Sequence, residues 1–552
     1  MFVRSALAAL FAGGLVVLAA AGAARAVEDD GPVIRAPAGA LQGVREGEAN
    51  VFRAVPYAAP PTGERRWKPP APLEPWSGVR EAVTPGVACM QPPMAAGPYN
   101  RGEQAMSEDC LTLDITAPAG AVKAPVMVWI HGGTLIWGTA HSPMYDGRRF
   151  AERGVVLVSI NYRLGVLGYL AHPALSAESP DHVSGNYGLL DQIAALKWVR
   201  ENISAFGGDP DNVTIFGESA GALSVEYLLA SPPARGLFDK AIVQSGYLFT
   251  MPELRAARYE EFSAEAIGAW VAGQIHAPDL ASLRAMDART LVDKSAATGY
   301  LPYGTIDGKV LPRQLVDVFD RGEQAPTPLI AGFNSGEVRS LRALLPPLPG
   351  DVDAFAAEIR KNYGDLAEDY LSLYRPDDIE ETALAASRDV VFGWAAERLV
   401  RKQAAIGQPA FLYFFDHDYP SATAAGLSGF HAGEVPFVFG TFDATPPNWP
   451  TIPDTAEQRL TSDAMLDYWT SFARDGRPST SAGPDWRAFG ETQAYLHFEE
   501  TPEADQALFP GMYDLHETVM CRRRAGGQSW NWRSGGAAPP LPPATADCGH
   551  TP

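Results

Sequence analysis

Val213-Thr214-Ile215-Phe216-Gly217-Glu218-Ser219-Ala220-Gly221 is the stretch whose reading decides the fold. A β-branched, apolar run passes into Gly-x-Ser-x-Gly, which reads as a strand bending sharply into a helix with a serine at the bend. A turn tight enough to push the serine hydroxyl outward leaves no room for side chains two positions before and after it. Gly217 and Gly221 meet that demand. The pentapeptide is a short motif in a chain with 53 glycines among 552 residues, so its surroundings must carry the assignment.

Those surroundings alternate apolar strands with helical patterns, the arrangement that builds a mostly parallel sheet covered by helices, an α/β fold. Residues 126–130, 155–160, 241–243, 328–331 and 411–415 read as buried strands alongside 213–216. Leu189, Ile193, Leu196, Val199 and Ile203 recur at helical spacing and predict a helix that lays one face on the sheet just before Ser219. The Pro-, Gly- and Trp-rich segment from Pro32 to about Asp114 reads as short strands and loops packed onto the main sheet. Residues 254–320 and 351–403 read as helical insertions.

Met1 to Ala26 carries Arg4, an apolar centre and the small-x-small pattern Ala24-Arg25-Ala26, which reads as a cleaved secretory signal. The apolar centre is shorter than the ~20 residues a membrane span needs, so no stable membrane insertion is expected. The division that follows is 1–26 as signal, 27–520 as the folded domain and 521–552 as a Pro/Gly-rich tail. Four cysteines suit an exported protein, secreted or periplasmic; pairing by proximity gives Cys89 with Cys110 and Cys521 with Cys548, one of three connectivities. No Cys/His cluster suggests a metal. A formal net charge of -21 argues against nucleic acid as a partner, since phosphate binding needs a basic face.

A serine hydroxyl becomes a useful nucleophile when a histidine takes its proton and a carboxylate orients that histidine. Backbone donors must also receive the oxyanion. His131-Gly132-Gly133-Thr134 follows the strand 126–130 and offers unhindered N–H groups from Gly132 and Gly133, with Ala220 as a third donor at the start of the helix. His131 reads as a brace for that loop, because on such sheets the acid and the base follow the serine in sequence.

With these elements in place the chain resembles the type B carboxylesterases, the family that includes the cholinesterases, within the α/β-hydrolase fold. The resemblance spans nearly all of the mature chain. It rests on the run from Phe206 through Asp209-Pro210 to Gly221, and on Glu108-Asp109-Cys110-Leu111-Thr112-Leu113-Asp114-Ile115, after which Thr116 stands where the family usually has a large apolar residue. It implies that the acid follows Gly332-Phe333-Asn334 and is Glu337, although Val338 replaces the glycine common after it. Five histidines follow Glu337, at 417, 431, 497, 516 and 550, and the resemblance of Gly429-Phe430-His431-Ala432-Gly433-Glu434 to the family's histidine loop implies that the base is His431; His417, at the end of an aromatic strand, is the runner-up, and His550, in the Pro-rich tail, a remote candidate. Glu218 is a regular element of the family's elbow and reads as support for it. By the same resemblance Cys89 and Cys110 staple a loop beside the active-site gorge.

The activity so implied is hydrolysis of small-molecule carboxylic esters through an acyl-enzyme, with no cofactor. Trp137 and Leu341 are expected to line the pocket. Arg339 and Arg342, if either points inward, would suit a polycarboxylate ester such as those cleaved by the family's fumonisin esterases. The plainer reading is two solvated arginines at the rim. A non-catalytic, adhesion-type relative would have lost the serine, which is present here.

Overall fold

The computed structural model describes residues 31–530 and 535–548. The segment read as a signal, and His550, lie outside the described residues. The core is an eleven-stranded sheet: β1 (Val44–Glu46), β2 (Ala49–Pro56), β3 (Thr112–Pro118), β4 (Ala124–Ile130), β5 (Val156–Ile160), β6 (Gly208–Glu218), β7 (Lys240–Gln244), β8 (Leu329–Asn334), β9 (Ala410–Phe415), β10 (Ala494–Phe498) and β11 (Pro502–Gln506). Their spatial order is β11-β10-β9-β8-β7-β6-β4-β5-β3-β2-β1. The run from β5 to β10 is parallel, and antiparallel strands close both edges.

Every residue of β4, β5, β7, β8 and β9 is buried, as expected where helices cover both faces. Side chains alternate between two cores because the strand period is two. Val126, Val128, Ile130 and Ile215 enter one core, which also holds Leu189, Ile193, Leu196 and Val199 of helix α1 (Tyr187–Asn202). Met127, Trp129, Phe216 and Ile330 enter the other, with Met465, Trp469 and Phe472 of a long helix, Ala456–Asp475. Each such side chain, fully buried, contributes on the order of 1.5–3 kcal/mol of transfer free energy.

Three sequence expectations need correction. The N-terminal segment does more than pack onto the main sheet, since β1, β2 and β3 extend it; antiparallel pairing needs no crossover helix, so nearby segments join the edge directly. Residues 351–403 are not wholly an insertion, because helix Trp394–Ala405 begins within them and packs on β8 and β9. The division at 520/521 falls inside helix Met512–Ala525. Beyond that helix the chain stays anchored: the Trp530 indole donates to the Leu248 carbonyl at 2.8 Å and the Leu541 N–H to the Asn362 carbonyl at 2.8 Å. Both cysteine pairs are bridged, Cys89 to Cys110 and Cys521 to Cys548. Among the described residues no helix is long and apolar enough to cross a membrane.

Candidate active site

Strand β6 ends at Glu218 and helix α2 (Ala220–Ala230) begins one residue later, leaving Ser219 between them at φ 57°, ψ −121°. A non-glycine residue in this region costs of order 1–3 kcal/mol, and it persists only where packing enforces it. The enforcing contacts are backbone. A Cβ on Gly221 would lie 2.0 Å from the Ile130 carbonyl oxygen, and one on Gly217 would lie 2.6 Å from the Gly221 carbonyl carbon. The end of β4 therefore grips the turn.

The same strand feeds the glycine loop. A Cβ on Gly132 would sit 2.7 Å from the Glu218 carbonyl oxygen and 3.2 Å from Ser219 Cβ, so this loop lies directly against the serine turn. Gly133 has φ +106°, and its carbonyl accepts the N–H groups of Ile136 and Trp137. Ala220 opens α2, where the first N–H groups have no intrahelical acceptor. His131 is buried and stacks on Tyr162 with ring centroids 4.6 Å apart; Tyr162 donates to its carbonyl at 2.8 Å. Burial pushes its imidazole down to about 3, which keeps it neutral.

Glu337 and His431 come from two turns sewn together by backbone. The Gly336 N–H donates to the Gly429 carbonyl at 2.8 Å, and Asn334 Nδ2 donates to the Phe430 carbonyl at 2.9 Å. Glu337 is fully buried; its Oε1 accepts the Asn334 N–H at 2.9 Å and its Oε2 pairs with His431 Nδ1. On the opposite side of the ring, His431 Nε2 lies 3.0 Å from Glu218 Oε1, without hydrogen-bond alignment. Burial opposes charge on this imidazole, but Glu218 and Glu337 outweigh it and push it up to about 9. Burial likewise pushes the Glu218 carboxyl up to about 8, against the pull of His431. A third buried carboxyl, Glu434, accepts from Asn334 Nδ2 at 2.6 Å and from Gln244 Nε2 at 3.1 Å.

A cavity of about 900 Å³ opens over these groups, lined by Gly132, Gly133, Glu218, Ser219 and His431, together with Trp137 and Leu341. Arg339 and Arg342 do not line it. Their guanidinium groups are taken by Glu381 and Glu380, acidic residues in the first turn of helix Ile379–Arg388, so neither is available as a pocket cation. His417 is held elsewhere, between the Glu499 carbonyl and Gln458. The Cys89–Cys110 loop, expected beside the site by resemblance, supplies a wall whose residues the sequence reading did not name, including Met94, Tyr99 and Arg101. Tyr99 sits 2.6 Å from Ser340 Oγ and donates to the His431 carbonyl at 2.8 Å, tying that wall to both turns. No periodicity marks these loop residues; only the flanking cysteines could have drawn notice to them.

The carboxylesterase family model matches residues 30–515. The chain is 36% identical over 481 residues to a fumonisin B1 esterase of Sphingopyxis macrogoltabida, covering 84% of this chain and 85% of that protein. It is 36% identical over 493 residues to a para-nitrobenzyl esterase of Bacillus subtilis (strain 168), covering 86% and 97%. A solved PNB esterase structure, 32% identical, superposes with a TM-score of 0.75 over 86% of this chain and 97% of that one. With the serine turn, the glycine loop and the Glu–His pair gathered beyond the C-terminal ends of parallel strands in a large mixed sheet, the chain belongs to the carboxylesterase family, with the α/β-hydrolase fold.

Proposed function

We propose that this carboxylesterase cleaves carboxylic esters to acid and alcohol with Ser219 as nucleophile, His431 as general base and Glu337 as the group that orients His431. Ser219 Oγ attacks the ester carbonyl while His431 Nε2 accepts its proton. The N–H groups of Gly132, Gly133 and Ala220 receive the oxyanion. His431 returns the proton to the leaving alcohol, water repeats the attack on the acyl-enzyme, and the acid departs. The observation that carries this reading is the pairing of His431 Nδ1 with buried Glu337, which fixes the tautomer with Nε2 as the basic nitrogen, on a ring that lines the same cavity as Ser219.

Replacing Ser219 with Ala tests it. Loss of ester turnover by roughly 10⁶-fold is expected, with an unchanged melting temperature. A folded, active Ser219→Ala protein overturns the assignment.

The relative named fumonisin B1 esterase does not extend its substrate to this chain, and the ion pairs of Arg339 and Arg342 occupy the two arginines on which the sequence rested a polycarboxylate reading. We also propose that the chain is exported, secreted or periplasmic, after cleavage near Val27. The composition of its first 26 residues supports this, as do two disulfides suited to an oxidising compartment. On this reading residues from 27 onward act as one hydrolase unit, with Leu541 tied back onto it through Asn362.

A further inference from the structure

The cavity wall contributed by the Cys89–Cys110 loop carries a cation that the ester chemistry described above does not use. Arg101 Nη2 donates to the Tyr145 hydroxyl at 2.6 Å, and the guanidinium lies 5.2 Å from the centre of that ring. Its Nε is buried without a hydrogen-bond partner. A guanidinium has five N–H donors in a fixed fork, so a single bond to a neutral hydroxyl leaves most of its capacity unused.

The other arginines near the cavity are occupied. Arg289, which also lines it, pairs with Asp293 at 3.5 Å and donates to the Gln91 carbonyl at 2.8 Å. Arg339 and Arg342 have their glutamates. Among the described residues no carboxylate forms an ion pair with Arg101. Glu218, which shares the cavity and feels the Arg101 charge, is directed at His431 instead. Glu103, on the same loop, also lines the cavity but is exposed and forms no ion pair with Arg101. In a chain of net charge -21, an arginine that lines the cavity without an ion-pair partner among the described residues is an open cationic point, and a partly desolvated guanidinium is a strong bidentate receptor for a carboxylate.

We propose that Arg101 binds a carboxylate carried by the substrate, so that the enzyme prefers esters with an anionic group on the part of the molecule lying against the Cys89–Cys110 loop. The proposal rests on the reading of this cavity as the ester-binding site. The competing role for Arg101, a structural cation over Tyr145, predicts no discrimination between charged and neutral esters.

Matched pairs of substrates test it from both sides of the ester bond. On the acyl side, mono-p-nitrophenyl glutarate is compared with p-nitrophenyl butyrate; on the alcohol side, p-butyryloxybenzoate is compared with phenyl butyrate. In one of the two pairs the anionic-to-neutral ratio of kcat/KM is expected to fall about tenfold or more in Arg101→Gln and to recover in part in Arg101→Lys. The pair that responds identifies which side of the ester meets Arg101. Ratios unchanged in both pairs, or charged and neutral esters losing activity together, overturn the proposal. Glutarate binding measured by calorimetry on Ser219→Ala, and again on Ser219→Ala with Arg101→Gln, needs no turnover. Arg101-dependent binding, together with a wild-type enzyme inert toward all esters, would sink the ester-hydrolase reading and leave the Arg101 site standing; binding indifferent to Arg101 sinks the site.

Discussion

The serine turn and the cavity rim are held by different kinds of contact. At the turn the close approaches are to backbone: Ile130 carbonyl against Gly221, and the Glu218 carbonyl against Gly132. At the rim they are between side chains: Tyr99 with Ser340, Arg101 with Tyr145, Arg339 with Glu381. Backbone fixed in a sheet end cannot yield to an added methyl group, whereas a side-chain pair on a loop can be exchanged for another at small cost in stability. On the proposed mechanism the chemistry is set where backbone contacts are tight, and the choice of ester where side chains can be exchanged.

The sharpest way to break that contrast is Gly132→Ala. Its Cβ would meet the Glu218 carbonyl, and the displaced loop is expected to cost roughly 10²–10³-fold in kcat, comparable to losing one oxyanion donor. Steady-state kinetics beside a thermal melt checks it; near wild-type kcat would show that the loop can yield after all.

A smaller effect is expected from Glu218→Gln. His431 must be neutral to accept the serine proton, so activity is lost as pH falls through its ionisation. Glu218 is one of three carboxyls, with Glu337 and Glu434, that push this ionisation up to about 9, and removing its charge should move the acidic limb of kcat/KM to lower pH, by about one unit. A limb that stays in place, or moves upward, would show that Glu218 does not act on His431 electrostatically.

The smallest effect belongs to the outer rim. Arg339→Gln and Arg342→Gln each remove one partly exposed ion pair and should change stability by no more than about 0.5 kcal/mol, with ester kinetics nearly unaltered. Urea unfolding and a neutral-ester assay decide it. A large fall in kcat/KM in either variant would place that arginine in the substrate's path and blur the division between turn and rim.

Much of the sheet was legible because its central strands are buried on both faces and appear as unbroken apolar runs, as in β4, β5 and β9. The edge strands β1, β2 and β3 were less so: half-buried and interrupted by turns, Ala49–Pro56 looks locally like any Pro-rich loop segment. In the site, Ser219, Gly132 and Gly133 stand in short motifs whose sterics demand those residues, and Glu337 and His431 were reached by resemblance. Glu434 and Tyr99 had no such signal, because what they do depends on groups 100 and 332 residues away, Asn334 and His431.

The sequence by itself determined the strand-turn-helix around Ser219, since a tight bend between two regular elements restricts residue type position by position. It also determined the two-faced helix before it, through a 3.6-residue period. Only the tertiary structure decided that Arg339 and Arg342 turn away from the cavity while Arg101 turns toward it. A guanidinium on a flexible stem goes where the folded chain offers an acceptor or leaves a space, and neither is encoded next to it in the chain.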